Sequence, residues 1–218
     1  MGEHWLPLFP LNTVLFPHMP LPLQVFERRY KLMLRDCLDA GQSFGVVAIR
    51  EGEETGPPAV PHNVGTLAKI VNMERLDDGR VKLLITGTTR FRVLRTSDDR
   101  PYLRGSVRFL AERGDDPEDT REVMQAVAAA FADYRTLLQQ LADSEPESIE
   151  PPLEPELLSY LVAALLNVPL LLKQELLALD RTDHRLQAEL RILRKENALL
   201  KQMLARKTQA VAGKVSLN

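Results

Sequence analysis

Short apolar runs interrupted by prolines dominate the first 25 residues of the chain. Proline fixes φ and has no backbone N–H, so a stretch with this many prolines cannot form one central strand. The prolines mark edges, bends and strand starts at Pro7, Pro10, Pro17, Pro20 and Pro22. We therefore expect residues 5–25 to form two or three short strands in an extended, kinked and buried segment.

The spacing of the apolar residues changes near Phe26. Phe26, Tyr30, Met33, Cys37 and Leu38 recur close to helical spacing, with charged residues between them. Gly41 stands where a left-handed residue commonly ends a helix. The pattern predicts a helix over about residues 26–40.

Further β-rich runs follow this helix, and each is short. Asp77-Asp78-Gly79 separates two of them and can supply a left-handed turn, which predicts a hairpin. Residues 51–58 carry the glycines and prolines typical of an exposed loop, which we expect to be the most mobile part. About six short strands with one helix favour a closed barrel, because closure removes exposed edges. The runs cover residues 44–49, 64–73, 81–87, 91–94 and 102–112.

The periodicity changes to that of helices after Asp116. A helix is predicted by the apolar stripe Val123, Val127, Phe131, Tyr134, Leu138 and Leu141. Residues 143–156 are acidic and proline-rich, which indicates a solvated linker. Two short helices over residues 157–166 and 170–179 come next, with Asn167 as the expected cap of the second and Pro169 in its first turn. A last helix, capped by Thr182 or Asp183, should run to about Arg206.

Several motifs resemble one known family. P-L-F-P-L-N-x-V-L-F-P over residues 7–17 and L-P-L-x-V-F-E-x-R-Y over residues 21–30 are similar to the Lon N-terminal domain, the substrate-recognition module of ATP-dependent Lon proteases. Residues 64–68, 76–87, 90–93 and 173–177 continue the resemblance, which covers most of residues 5–180. It implies an α+β fold: a PUA-like, mostly antiparallel β-barrel with one inserted helix over residues 1–114. An all-helical subdomain ending in a long helix should then occupy residues 115–218.

The length and composition of the chain limit the classes of protein to which it can belong. The chain has 218 residues, a formal net charge of -2 and a single cysteine, so it can bury a core but cannot form an internal disulfide. It contains no run of about 18 apolar residues and no basic N-terminal region followed by an apolar one, so we expect a cytoplasmic protein without a membrane span. From Arg181 onward nine Lys and Arg face three Asp and Glu, so the barrel side is acidic and the end is basic. An acidic barrel argues against a wide nucleic-acid footprint there.

The candidate catalytic and metal-binding residues lack the sequence context that their chemistry requires. Gly41-Gln42-Ser43-Phe44-Gly45 fits G-x-S-x-G, but that motif needs a strand before the serine and a helix after it, the reverse of the predicted order. The four histidines, at positions 4, 18, 62 and 184, lie far apart without other ligands at metal-binding spacing. The chain has no phosphate-binding P-loop. We therefore expect no enzyme activity, no metal and no cofactor.

The family's F-E-x-R-Y element suggests a peptide-binding surface at the start of the first helix. Together with the loop before it, this surface would form a lip of Phe16, His18, Met19, Leu21, Glu27, Arg28 and Tyr30. Adaptable apolar side chains such as Met19 suit promiscuous partners. A purely structural alternative has Glu27 stabilising the dipole of its helix while Tyr30 packs inward.

The last helix carries a leucine stripe with one polar member: Leu186, Leu190, Leu193, Asn197, Leu200 and Leu204. With Leu186 at heptad position d, Asn197 falls at a, where one buried asparagine favours a parallel two-stranded coiled coil. That predicts a homodimer. In the alternative, Ile192, Leu199 and Met203 widen the apolar face and the helix packs on the chain's own helices.

The leading hypothesis is a non-enzymatic recognition protein that binds unfolded or exposed apolar polypeptide, or acts as an adaptor for a protease or chaperone. The resemblance carries most of that hypothesis. RNA binding is the alternative, because PUA-like barrels occur in RNA-modifying proteins and the end of the chain is basic. Hydrolysis at Ser43 is a third.

Overall fold

A computed structural model describes residues 4–56, 59–112, 117–145 and 150–215. The first half of the chain contains the six strands and one helix, and the second half contains only helices. In chain order they are β1 (His4–Leu11), β2 (Pro20–Val25), α1 (Arg28–Ala40), β3 (Phe44–Glu51), β4 (Val60–Arg75), β5 (Val81–Ser97), β6 (Arg104–Phe109), α2 (Pro117–Ala142), α3 (Pro155–Leu165), α4 (Leu170–Ala178) and α5 (Thr182–Val215).

The six strands form one sheet that closes on itself. Its order is β2-β5-β4-β3-β1-β6, and β5 also pairs with β6. The long β5 makes this closure possible because its first half pairs with β2 and its second half with β6. All pairings between these strands are antiparallel except that of β1 with β3, whose parallel direction follows from the crossover through β2 and α1. The predicted mostly antiparallel barrel with one inserted helix is confirmed.

The interior of the sheet is filled on two sides. One cluster of buried side chains gathers under α1 and includes Tyr30, Met33, Cys37 and Phe44. A smaller cluster contains Leu8, Val47, Phe91 and Val107. Gly65 is needed where these layers meet, because a Cβ there would lie 2.8 Å from the Cζ atom of Phe91.

The chain forms two compact units that interrupt each other in sequence. One contains Met1–Glu112 and Ala163–Asp180, and the other contains Arg113–Val162 and Arg181–Asn218. The division expected at residue 114 therefore differs from the structure, since residues 163–180 group with the strands. Two polar anchors explain this: Gln174 Nε2 donates to the Val64 carbonyl at 2.9 Å, and Arg90 Nη1 donates to the Leu177 carbonyl at 2.8 Å.

In the second unit α5 packs on α2. Val127, Phe131 and Tyr134 of the predicted α2 stripe are buried. Asn197 of α5 is also buried, and its Nδ2 donates to the Ala130 carbonyl at 2.8 Å.

The leucine stripe of α5 is therefore covered within the chain. Leu186, Leu193 and Leu200 are buried, and Leu190 and Leu204 are half-buried. This burial agrees with the intrachain alternative, since the Asn197 side chain bonds to Ala130 of α2, and the homodimer stays a prediction. Of the three residues expected to widen the apolar face, Ile192 is half-buried, whereas Leu199 and Met203 are exposed.

Four local predictions also need correction. Helix α1 begins at Arg28, so Phe26 precedes it and is 55% exposed. Strand β5 is continuous where two strands were expected. Pro169 rather than Asn167 holds the N-cap position of α4, without a side-chain cap hydrogen bond. Helix α5 continues past Arg206 to Val215, since alanine, lysine and glutamine there favour helix.

Candidate functional site

The β2–α1 groove is a cleft of about 270 Å³ in the sheet-containing unit. Strand β2 forms one wall, the start of α1 forms the end, and residues 54–55 form the opposite wall. Apolar side chains dominate its lining, which comprises Phe9, Leu11, Thr13, Leu21, Pro22, Leu23, Gln24, Val25, Phe26, Glu27, Tyr30, Glu54 and Thr55. Such a cleft can accept apolar side chains of a ligand.

The floor of the groove is rigid and aromatic. The rings of Phe9 and Tyr30 are stacked with centroids 4.2 Å apart. Tyr30 is only 5% exposed, and burial raises the pKa of its hydroxyl, so this group stays protonated. The guanidinium of Arg29 lies 4.5 Å from the centroid of the Tyr30 ring, which adds a cation–π contact.

Arg29 also holds the two ends of the groove together. Its Nε is 3.1 Å from the Glu27 carboxylate, and its Nη2 donates to the Glu54 carbonyl at 3.0 Å. The Asn12 backbone N–H donates to the Glu54 carboxylate. The loop expected to be exposed is thus bonded at Glu54 to two other segments. Glu27 occupies the N-cap position of α1 without a side-chain cap bond, and its carboxylate pairs with Arg29.

Strand β2 lies at the end of the sheet order, and its open edge is poor in donors. The Gly87 N–H donates to the Met19 carbonyl, and the register pairs Leu21 with Ile85 and Leu23 with Leu83. Alternation then directs the backbone groups of Pro20, Pro22 and Gln24 to the open edge. Prolines have no N–H, so of these three residues only Gln24 offers a donor there. Addition of a ligand strand is disfavoured, and side-chain recognition is favoured.

The structure brings together part of the predicted lip. Leu21, Glu27 and Tyr30 line the groove, whereas His18 and Met19 lie outside its lining. Arg28 lines a different groove on the other side of α1.

Phe16 is a core residue, which corrects its assignment to the lip. It is 1% exposed, and a Cβ on Gly87 would come within 2.2 Å of the Phe16 carbonyl oxygen. The turn is closed by a Met19 N–H bond to the Phe16 carbonyl at 3.2 Å, with His18 at a φ of 64°. An apolar residue between prolines fits a core turn and an exposed lip equally well, so the local pattern could not separate them.

Phe26 and Leu23 also line the groove, although neither was predicted as a site residue. The helical spacing suggested that Phe26 faces the core, but it lies before the helix and is exposed. The alternation in Pro20–Val25 was the available signal, since it leaves Leu21 and Leu23 half-buried on one side.

The context of Ser43 agrees with the predicted order of elements, because α1 ends before it and β3 begins at Phe44. Among the described residues, no group of three or more His, Cys, Asp and Glu side chains is arranged to hold a metal ion. No helix in the described part of the chain is long and apolar enough to cross a membrane.

A barrel with an inserted helix and a helical C-terminal half is the fold of Lon N-terminal domains. A Lon N-terminal domain protein from Xanthomonas campestris is similar at 31% identity and a TM-score of 0.61, over 84% of this chain and 95% of that one. The N-terminal domain of a Mycobacterium avium complex Lon protease shares the fold at 15% identity, with a TM-score of 0.62, over 89% of this chain and 98% of that one.

Sequence comparisons give the family. Residues 5–195 match the ATP-dependent protease La (LON) substrate-binding domain, so the chain belongs to that family. The Lon protease of Anaeromyxobacter dehalogenans is 31% identical over 90% of this chain and 24% of its own length. The Lon protease of Escherichia coli is 27% identical over 89% of this chain and 25% of its own length. The chain thus spans about a quarter of these relatives, and the match to the family covers only their substrate-binding part.

Proposed function

We propose that this protein is a non-enzymatic recognition module that binds exposed apolar segments of unfolded polypeptides in the β2–α1 groove. The observation that carries the proposal is an apolar cleft with a rigid aromatic floor in a member of a substrate-binding family. Leu21 and Leu23 are half-buried and Phe26 is exposed, so the groove still has apolar surface to cover.

The groove favours short segments with one or two apolar side chains. Its volume of about 270 Å³ is below the usual range for drug-sized ligands, about 300–1,000 Å³. The donor-poor edge of β2 supplies few backbone hydrogen bonds to a ligand. Binding therefore depends on contacts with the ligand's side chains and not on strand pairing in one fixed register. That is the property a promiscuous recognition module needs.

The proposal needs neither cofactor nor metal and includes delivery of bound clients to a protease or chaperone in the cytoplasm. RNA binding, the alternative suggested by the basic C-terminal end, gains no support from the family to which the chain belongs.

The test replaces the exposed apolar residue of the groove. Phe26 is 55% exposed, and fully burying a phenylalanine is worth about 1.5–3 kcal/mol, so the ligand gains about half of that. We expect Phe26→Ser to weaken binding of reduced, carboxymethylated lactalbumin about four- to twelvefold in calorimetric titration.

Val71→Ser is the matched control, because Val71 is 58% exposed on β4 and does not line the groove. It should leave binding unchanged. Equal affinities of the Phe26→Ser and Val71→Ser proteins would rule out the groove, and absence of binding by the wild type would rule out the function.

A further inference from the structure

A second groove lies between α1 and the β4–β5 hairpin, and no part of the proposed function uses it. Its volume is about 530 Å³, about twice that of the β2–α1 groove. We call it the α1–hairpin groove. The α1 side contributes residues 28–39, and the hairpin contributes residues 73–81.

The charge of this groove is opposite to that of the whole chain. Four cations line it, Arg28, Lys31, Arg35 and Arg75, against the single carboxylate Asp39. The chain as a whole has a formal net charge of -2. A cluster of cations in a cleft raises the local concentration of anions.

Two of these cations lack an internal counter-ion. Among the residues that the structure describes, neither Arg28 nor Arg75 forms an ion pair. Arg35 has only a loose pair with Asp36 at 3.8 Å, and Asp36 is already bonded to the Tyr102 hydroxyl at 2.8 Å. Arg28 also sits in the first turn of α1, where the helix dipole disfavours positive charge. An anionic ligand would supply the missing counter-charge and would offset the unfavourable dipole at Arg28.

The floor between the cations is apolar. Leu38 is 47% exposed, and Leu32, Met73 and Leu76 are half-buried along the same groove. A free phosphate or a nucleic-acid backbone would leave this surface uncovered. A ligand that carries apolar side chains as well as carboxylates covers it and pairs with the cations at once.

The walls are fixed before any ligand arrives. The hairpin turn is closed by the Gly79 N–H bond to the Leu76 carbonyl at 2.9 Å and by the Leu76 N–H bond to the Arg80 carbonyl at 2.9 Å. Asp78 accepts from the Arg80 backbone N–H at 3.0 Å, and Gly79 adopts the left-handed φ of 78° that the turn requires. A preformed cleft loses little entropy when it binds.

We propose that the α1–hairpin groove is a second binding site for an acidic peptide segment that alternates carboxylates with apolar residues. From Arg28 to Asp39 the helix rises about 16 Å at 1.5 Å per residue, which an extended peptide covers with about five residues. Same-side residues of such a peptide repeat about every 6.7 Å, which is close to the spacing from Lys31 to Arg35. The site is independent of the β2–α1 groove.

The test uses two fluorescein-labelled peptides with the full-length protein. One alternates aspartate with leucine over about six residues, and its twin carries asparagine in place of aspartate. Fluorescence anisotropy should show about tenfold tighter binding of the acidic peptide, since several exposed ion pairs add up to about that factor. The double variant Arg28→Glu/Arg75→Glu should lose this preference, and Leu38→Ser should weaken both peptides.

Arg100→Glu is the matched control, because Arg100 is exposed in the same unit but outside the groove. It should bind both peptides like the wild type. Equal affinity of the wild type for the two peptides would overturn the proposal. An equal loss of affinity for the acidic peptide in the double variant and in Arg100→Glu would also overturn it. The third refuting outcome comes from competition with an oligoribonucleotide of the same charge. If it displaces the labelled acidic peptide at a lower concentration than the unlabelled acidic peptide does, the groove is a phosphate site.

Discussion

Arg90 is the residue whose replacement should destabilise the sheet-containing unit most clearly. It is 1% exposed and ties three segments together. Its Nε donates to Glu112 at 2.7 Å, and its Nη1 donates to the carbonyls of Leu177 and Leu179 at the end of α4. The last carbonyls of a helix have no partner within the helix, so Arg90 satisfies groups that α4 cannot.

The magnitude follows from what Arg90→Met leaves behind. Methionine fills a similar volume but cannot donate, so the carbonyls and the Glu112 carboxylate lose their bonds. Breaking a buried ion pair from one side costs about 3–5 kcal/mol, and we expect the free energy of unfolding to fall by about that amount. Arg90→Lys should recover only a part, because one ammonium cannot reproduce the guanidinium geometry.

The single tryptophan makes the assay specific, since Trp5 lies in β1 of the same unit. Urea unfolding followed by its fluorescence should show the loss in Arg90→Met. The matched control is Arg92→Met, because Arg92 is exposed two residues away on β5 and should change stability by no more than about 0.5 kcal/mol. Similar midpoints for the two variants would refute the assignment of Arg90 as an anchor.

Three further predictions concern single buried groups. Asn197→Leu should change stability by less than about 1.5 kcal/mol and leave the light-scattering mass unchanged, because the residue packs within the chain; a changed mass would contradict this. Burial raises the pKa of Glu189 well above its usual value, despite the Ser159 hydroxyl bond at 2.8 Å and the charge of Arg185. Its contribution to stability is thus complete below about pH 4.5 and is lost as pH rises through the folded pKa, by about 1.4 kcal/mol per pH unit. The urea midpoint of Glu189→Gln should therefore rise relative to that of the wild type between pH 5 and 8, and a difference that does not change with pH would show that the folded carboxylate is already ionised. Burial raises the pKa of Cys37 to about 11, so a disulfide reagent at pH 8 should label it only after urea is added; fast labelling without urea would disprove its burial.

The order of helices and strands could be read from the sequence because periodicity reports burial directly. The change from a period of two to 3.6 after Asp116 correctly separated strands from helices in the described residues. The Asp78-Gly79 turn and the left-handed Gly41 were predicted from residue chemistry alone.

The burial of individual polar residues could not be read in the same way. Arg90 and Arg92 stand on either side of Phe91 in the same alternating run, yet Arg90 is buried and Arg92 is exposed. The difference depends on residues 163–180, which are distant in sequence. Glu189 likewise follows the charged residues of α5 in sequence, but it is buried, and the Ser159 hydroxyl of α3 donates to its carboxylate.

The candidate site shows the same limit. Leu21, Glu27 and Tyr30 were predicted because they lie within one short segment that resembles the family's motif, and they all line the groove. Glu54 joins them through Arg29 across a gap of 25 residues, which no local pattern encodes.

Amide chemical shifts of the isotope-labelled protein, followed while reduced, carboxymethylated lactalbumin is added, would locate the residues that bind an unfolded polypeptide. If the β2–α1 groove is the binding site, the largest changes will occur in residues 21–27, at Tyr30 and in residues 54–55, with no comparable change in α5. Changes centred on α2 and α5, with the β2–α1 groove unaffected, would contradict it.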